Sequence, residues 1–216
     1  FLGLRNLTIL ERIRTMIWFD QNKWLDFEKI PLHNEETFKL LQKGDTTGVF
    51  QLESDGMRQA LRDIKPNHFL DIVAVNALYR PGPMDNIPTY KRRKHREEKT
   101  VYVHPMLEPI LRETYGVIVY QEQIMQISSK MAGFSFGESD ILRRAVSKKN
   151  RQVLDEQRQH FVESAQQNQF TKHEANEVYD LIVRFADYGF PKSHAVAYSL
   201  ISYQMAYLKV QYPAYF

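Results

Sequence analysis

Gly133-Phe-Ser-Phe-Gly-Glu-Ser-Asp-Ile-Leu-Arg-Arg-Ala-Val-Ser-Lys-Lys-Asn-Arg151 holds the local signals that decide the fold class. Gly133 is a helix stop. Ser135 followed three residues later by Glu138 is a capping box, in which each side chain satisfies a backbone N–H that the first helical turn leaves unpaired. Ile141, Leu142, Ala145 and Val146 then recur at helical spacing and mark an inward face. At about 100° per residue, Arg143 and Arg144 project from the two flanks of the opposite side. The same grammar repeats downstream. Thr171 with Glu174 opens a helix carrying Ala175, Val178, Ile182 and Phe185, and Leu154, Phe161 and Ala165 mark another helix in between.

Upstream, Gln121–Met131 places Ile124, Ile127 and Met131 on one face, with Gly133 as its stop. Asn6 is read as the cap of a first helix with Leu7, Leu10, Ile13 and Ile17 inward, and Asn34 as the cap of a short second helix that ends at Gly44. Ser54 opens a helix that must stop before Pro66. Asn67 opens one with Phe69, Ile72, Val73 and Ala77 inward, halted by Arg80-Pro81-Gly82-Pro83. Short extended pieces are expected at Val49–Leu52 and Val117–Val119. Ser193 is read as the start of a last helix that runs to about Tyr212. The fold class expected is mainly α, with at most short strands. It divides into a helical part over 1–80, a long Pro-rich basic loop over 81–116 and a second helical part over 117–216.

Composition narrows function. The 216 residues are 43% hydrophobic and 25% charged, an ordinary globular balance, and hold no Cys, which removes disulfide scaffolds, thiolate metal sites and Cys nucleophiles. No signal peptide or membrane span is legible. The most apolar stretch, Ala195–Val210, is interrupted by Ser199, Ser202, Gln204 and Lys209 and reads as a buried helix. The net charge of +3 is unevenly spread: residues 91–99 carry +4 and residues 143–151 carry +5, which leaves the rest of the chain at −6. Two basic islands on an acidic chain point to an anionic partner. Because it opens on Phe1-Leu2 and closes on Tyr215-Phe216, the sequence is expected to be a piece of a longer one.

Each constellation has a bland and a functional reading. Arg143, Arg144, Lys148, Lys149 and Arg151 form either a solvated helix face or a phosphate clamp, since guanidinium forks match phosphate oxygens. Tyr188-Gly-Phe-Pro-Lys-Ser-His194 is either a plain helix–turn–helix corner or an anion site. In the second case Lys192, Ser193 and His194 stand at helix N-terminal amides, and Tyr188 and His194 are available to stack on a base or sugar. Lys91-Arg-Arg-Lys-His-Arg96 is either a solvated loop or a contact to a nucleic-acid backbone. Gly48–Ser54 and Tyr120–Gln123 place Gln and Glu in apolar surroundings and favour internal hydrogen-bond networks over a site. Arg80 is a cation at the edge of a rigid proline turn. No close carboxylate pair suited to two metals, no Walker A loop, no dinucleotide fingerprint and no metal-spaced His occur.

Gly48-Val-Phe-Gln-Leu-Glu-Ser54, Asn76-Ala-Leu-Tyr-Arg-Pro-Gly-Pro83, Thr114-Tyr-Gly-Val-Ile-Val-Tyr-Gln-Glu-Gln123, Leu142-Arg-Arg-Ala145 and Lys192-Ser-His-Ala195 with Tyr198 together resemble the bacterial replicative DNA polymerase III alpha subunits of the DnaE type, the C-family. The resemblance runs from Phe1-Leu-Gly-Leu-Arg-Asn-Leu-Thr8 to Gln211-Tyr-Pro-Ala214, essentially the whole chain, and its five motifs stand in order. The resemblance implies the end of the palm and the first part of the fingers of a nucleotidyltransferase. The three palm aspartates that hold Mg²⁺ would lie upstream of Phe1, leaving no catalytic residue here and an inactive piece. It implies that Arg143 and Arg144 grip the incoming triphosphate and that Tyr188 and His194 lie near the base and sugar, and Lys192 and Ser193, from the anion-site reading, join them as dNTP-binding candidates. Template-primer DNA, dNTP and other replisome subunits follow as partners and the bacterial cytoplasm as setting. Arg80, Lys91, Arg92, Arg93, Lys148 and Lys149 remain candidates for DNA-backbone contact. Pro191 stands where many family members have Asn, so no role is carried to it. The competing readings are a non-catalytic helical nucleic-acid-binding module, using the two islands, and a purely structural helical adaptor, which leaves Arg143, Arg144 and Lys192 unexplained.

Overall fold

The computed structural model describes residues 3–148, 151–186 and 189–216, except for the side chains of residues 147, 148, 151, 185 and 186. Among these residues the regular structure is helical, as expected: eleven α-helices, several short 3₁₀ turns and one isolated parallel bridge between Tyr120 and Phe190. No described helix is long and apolar enough to cross a membrane. The chain divides into two compact units, Phe1–Asn76 with Ser193–Phe216, and Ala77–Lys192.

The first unit contains α1 (Arg5–Gln21), α2 (Glu35–Lys43), α3 (Asp55–Ile64), most of α4 (Phe69–Leu78) and nearly all of α11 (Lys192–Gln211). Helix α2 is capped by the Asn34 side chain, which accepts from the Thr37 amide, and closes on Gly44 in the left-handed region. Ser54 caps α3 in the same way. Helix α1 departs from the expectation. It starts at Arg5 without a side-chain cap, Asn6 lies inside it, and Leu7 is exposed while Leu10, Ile13 and Ile17 are buried. Tyr203 of α11 anchors the unit. Its ring packs between Phe38 and Phe69, its hydroxyl donates to the Pro31 carbonyl (2.9 Å), and the same oxygen accepts from the Asn34 amide (2.9 Å). Burial pushes its phenol pKa up. Val49–Leu52 is not extended; it closes successive turns, with Gln51 at φ +65°.

The second unit contains α5 (Ile87–Lys94), α6 (Glu108–Leu111), α7 (Gln121–Ala132), α8 (Phe136–Lys148), α9 (Arg151–Gln167) and α10 (Lys172–Ala186). Its core gathers Ile124, Ile127 and Met131 of α7, Leu142 and Val146 of α8, Phe161 and Ala165 of α9, and Ala175, Val178 and Ile182 of α10. Phe161 is fully buried, a burial that contributes on the order of 2–3 kcal/mol. Both expected capping boxes form. The Glu138 carboxylate accepts from the Ser135 amide (2.8 Å) while the Ser135 hydroxyl accepts from the Glu138 amide (3.3 Å), and Thr171 and Glu174 repeat the pattern. The Ser135 hydroxyl holds the Glu138 carboxyl below the usual range. One expected inward residue, Ile141, is exposed: it lies at the edge of the buried stripe, about 100° around the helix from Leu142 and about 140° from Val146.

Residues 81–116 correct the expectation of a long loop. They form α5, α6 and short 3₁₀ segments, four of which carry a proline in the first turn: Pro83, Pro88, Pro105 and Pro109. A proline there gives up an N–H that would be unpaired anyway and fixes φ for the helix, so it starts these segments rather than breaking them. Val117–Val119 is buried but forms no strand.

Candidate functional site: a cation cluster at the head of α7

Helix α7 begins where a tight turn delivers it. Tyr115 and Gly116 are both left-handed (φ +52° and +79°), and a Cβ at Gly116 would stand 2.9 Å from Thr100 and 3.0 Å from Arg93 Nη1, so the second position requires glycine. The chain then runs buried to Tyr120, where Gln123 locks it. Gln123 Oε1 accepts from the amides of Val119 (2.8 Å) and Tyr120 (3.0 Å), and its Nε2 donates to Thr114 Oγ1 (2.9 Å) and the Ile110 carbonyl (3.3 Å). This residue of the polar Tyr120–Gln123 stretch is an internal network, as its apolar setting suggested.

The two residues before it face other partners. Gln121 Oε1 accepts from Arg143 Nη1 (3.2 Å), its Nε2 donates to the Gly189 carbonyl (3.1 Å), and its amide donates to the Phe190 carbonyl (3.1 Å). Both oxygens of Glu122 accept from the Lys192 amide (3.0 Å each), the first of α11. That helix therefore starts at Lys192 and not at Ser193, and its first N–H points at a carboxylate of the same unit rather than outward. A negative charge at this place is what a helix N-terminus favours.

The cations themselves are held by acids. Asp140 lies one turn before the arginine pair on α8. Its Oδ1 accepts from Arg143 Nε (2.9 Å) and Nη2 (2.7 Å), and its Oδ2 from Arg144 Nη2 (2.6 Å). The bond to Arg143 holds its carboxyl below the usual aspartate range, against partial burial. Arg144 remains largely exposed, at 65%, against 22% for Arg143. Lys192 Nζ pairs with Glu113 (2.6 and 2.8 Å) and lies 5.3 Å from the Tyr120 ring centroid. The structure thus brings the Arg143 side chain and the Lys192 backbone amide to adjacent residues at the head of α7, with Arg144 tied to Arg143 through Asp140.

Ser193 and His194 follow on the first turn of α11 and belong to the first unit. The His194 ring packs 4.2 Å from that of Tyr198, which in turn meets Phe50 at 5.3 Å. Tyr188 and Lys149 lie outside the described residues, as does the side chain of Lys148. Arg80 is turned onto its own unit: its guanidinium stands 4.6 Å over the Phe190 ring, Nε donates to the Ala77 carbonyl (3.0 Å), and burial lowers its pKa. The first island lies on the last turn of α5 and the residues just after it. There Glu98 repeats the bridging seen at Asp140, with one oxygen on Arg92 (2.9 Å) and the other on Arg93 (2.8 Å), and the arginines hold its carboxyl below the usual range. Arg93 also donates to the Tyr115 carbonyl (3.2 Å), which braces the turn into α7. Sequence reasoning passed over Glu113 and Asp140, and placed Gln121 and Glu122 in an internal network without naming their partners. Of these only Asp140 carried a local signal, its i, i+3 and i, i+4 spacing to the arginine pair.

The family model for the bacterial DNA polymerase III alpha subunit finger domain matches residues 6–169. The chain belongs to that family. It is 60% identical over all 216 residues to the DNA polymerase III subunit alpha of Staphylococcus aureus strain COL, and 57% identical over the same span to that of Staphylococcus epidermidis strain ATCC 12228. The chain spans about a fifth of the length of these relatives, 20% of each. The finger-domain match takes in α1 through α9, including Gln121, Asp140, Arg143 and Arg144. Lys192, Ser193 and His194 lie beyond it but within the span shared with both relatives.

Proposed function

We propose that this chain supplies the fingers of a template-directed DNA polymerase and that Arg143, Arg144 and Lys192 bind the triphosphate of the incoming dNTP. The observation that carries the reading is the head of α7: Gln121 receives Arg143 and Glu122 receives the start of α11, so two separate basic elements are tied to adjacent residues. Guanidinium forks so held suit a polyanion, and the Lys192 ammonium is itself held by Glu113. Ser193 lies next to Lys192, and Tyr188 and His194 take the base and sugar side in this reading, which rests on the family motifs. Template-primer DNA is the second partner, with Lys91 and Arg92 on α5, Lys148 at the end of α8 and Lys149 next in sequence the candidates for its backbone. Arg80 and Arg93 contribute mainly to the packing of their own unit.

In this reading Mg²⁺ supplies the charge neutralisation of phosphoryl transfer and is held by carboxylates outside the chain. The described residues gather no group of three His, Asp or Glu side chains fit to hold it, and Asp140 is bridged by two arginines. This chain's own share is to bind and orient the triphosphate. Other replisome subunits and a cytoplasmic setting follow from the same reading.

The test is Arg143→Ala with Arg144→Ala in the full-length polymerase, followed by primer-extension kinetics. Loss of two charge-assisted contacts should lower kcat/KM for dNTP by about 10²–10³-fold. Unchanged kinetics would overturn the assignment. Salt-dependent DNA binding that ignores added dNTP would favour the non-catalytic binding module instead.

A further inference from the structure

The geometry points to Asp140 as the positioning residue of the arginine pair, holding two like-charged guanidiniums on one carboxylate so that both present a fixed face to a polyphosphate. This rests on the reading that Arg143 and Arg144 bind the triphosphate. On a helix, residues three and four apart share a face. Asp140 is the one acidic residue of α8 with that spacing to both arginines; Glu138, also on α8, is spent on its capping box. Its two oxygens are divided, Oδ1 to Arg143 and Oδ2 to Arg144, so neither arginine displaces the other.

Arg143 has further support, because Gln121 receives its Nη1. Arg144 is mostly exposed, and its bond to Asp140 is what directs it. Without the carboxylate, two adjacent guanidiniums repel and the Arg144 side chain regains the rotamer freedom of a long solvated arm. A polyphosphate would then have to order it at the moment of binding. Asp140 also lowers the local charge, from two positive groups to a net of one. That favours looser anion binding, and the proposal holds that the gain in order outweighs it, because a bidentate fork must be aimed as well as charged.

The experiment uses the full-length polymerase with Asp140→Asn, Asp140→Glu, and the double arginine variant with and without Asp140→Asn. Asp140→Asn should raise the KM for dNTP about tenfold, the scale on which ordering one or two long side chains shows in affinity, and leave kcat within about twofold. Asp140→Glu, which keeps the charge and the helix register, should recover most of that loss. In the double arginine background Asp140→Asn should add nothing further. A fall in KM with Asp140→Asn would make Asp140 a competing anion and overturn the proposal. An unchanged KM, an equal loss in Asp140→Glu, or a full tenfold effect that persists without the arginines would overturn it as well. If the double arginine variant itself leaves dNTP kinetics unchanged, the triphosphate reading fails first, and that result is read independently of Asp140.

Discussion

Replacing Gln123 by Leu tests whether the turn into α7 is held by one buried side chain. The substitution keeps similar bulk and removes every polar atom. Two backbone amides, Val119 and Tyr120, then lose the Oε1 that accepts both of them, and the Ile110 carbonyl and Thr114 hydroxyl lose a donor. Gln123 is only 3% exposed, so water cannot take its place without opening the unit. Each buried amide left unpaired costs about 1–3 kcal/mol. The apolar gain of the new side chain offsets about 1 kcal/mol of that. The expected loss is therefore about 3 kcal/mol, read as a lower urea midpoint by far-ultraviolet circular dichroism with an unchanged slope. Hydrogen exchange gives the local readout: the Val119 and Tyr120 amides should exchange about a hundredfold faster, since each 1.4 kcal/mol is a factor of ten. A midpoint shift worth less than about 1 kcal/mol, with both amides still protected, would refute the claim that this network holds the turn.

Burial pushes the Tyr179 phenol up to about 12, where its hydroxyl donates to the Leu154 carbonyl (2.8 Å). Because the folded value lies above the unfolded one of about 10, the stability it confers is full below pH 10 and is lost as pH rises toward 12, by on the order of 2–3 kcal/mol. Tyr179→Phe should flatten that part of a urea-midpoint profile over pH 9–12; an unchanged slope would count against the burial argument. Ser135→Ala and Thr171→Ala should each cost about 1 kcal/mol in thermal or urea unfolding, the typical worth of a capping side chain. A loss below about 0.3 kcal/mol in both would show that the two boxes are incidental to stability.

The parts of the fold legible in the sequence were those written locally. Both capping boxes, the Asn34 and Ser54 caps and the Gly44 stop work within a few residues, and each is found where the spacing places it. Proline misled the reading of residues 81–116, because the same residue that ends a helix from inside begins one from its first turn, and only the following residues distinguish the two. Ile141 misled it too, since four apolar residues in six positions cannot all share a narrow stripe. In the candidate site the basic residues were legible as charge runs, whereas their holders were not. Glu113 reaches Lys192 across 79 residues of chain, Gln121 reaches Gly189 and Arg143 across 68 and 22, and Glu122 reaches Lys192 across 70, and no window along the sequence joins them. Asp140 could have been found, but it falls three residues outside the charge run that drew attention.

The twice-used bridge, Glu98 between Arg92 and Arg93 and Asp140 between Arg143 and Arg144, changes how the basic islands behave as polyelectrolytes. A run of arginines read as formal charge promises many condensed cations expelled from any nucleic acid it meets, and a correspondingly steep loss of grip as salt rises. A bridged pair has already met its counterion, supplied by its own backbone neighbourhood, and expels about half as many. Each island therefore carries less unpaired positive charge than its letters suggest, and its bridged arginines are held by a shared carboxylate instead of standing as independent solvated arms.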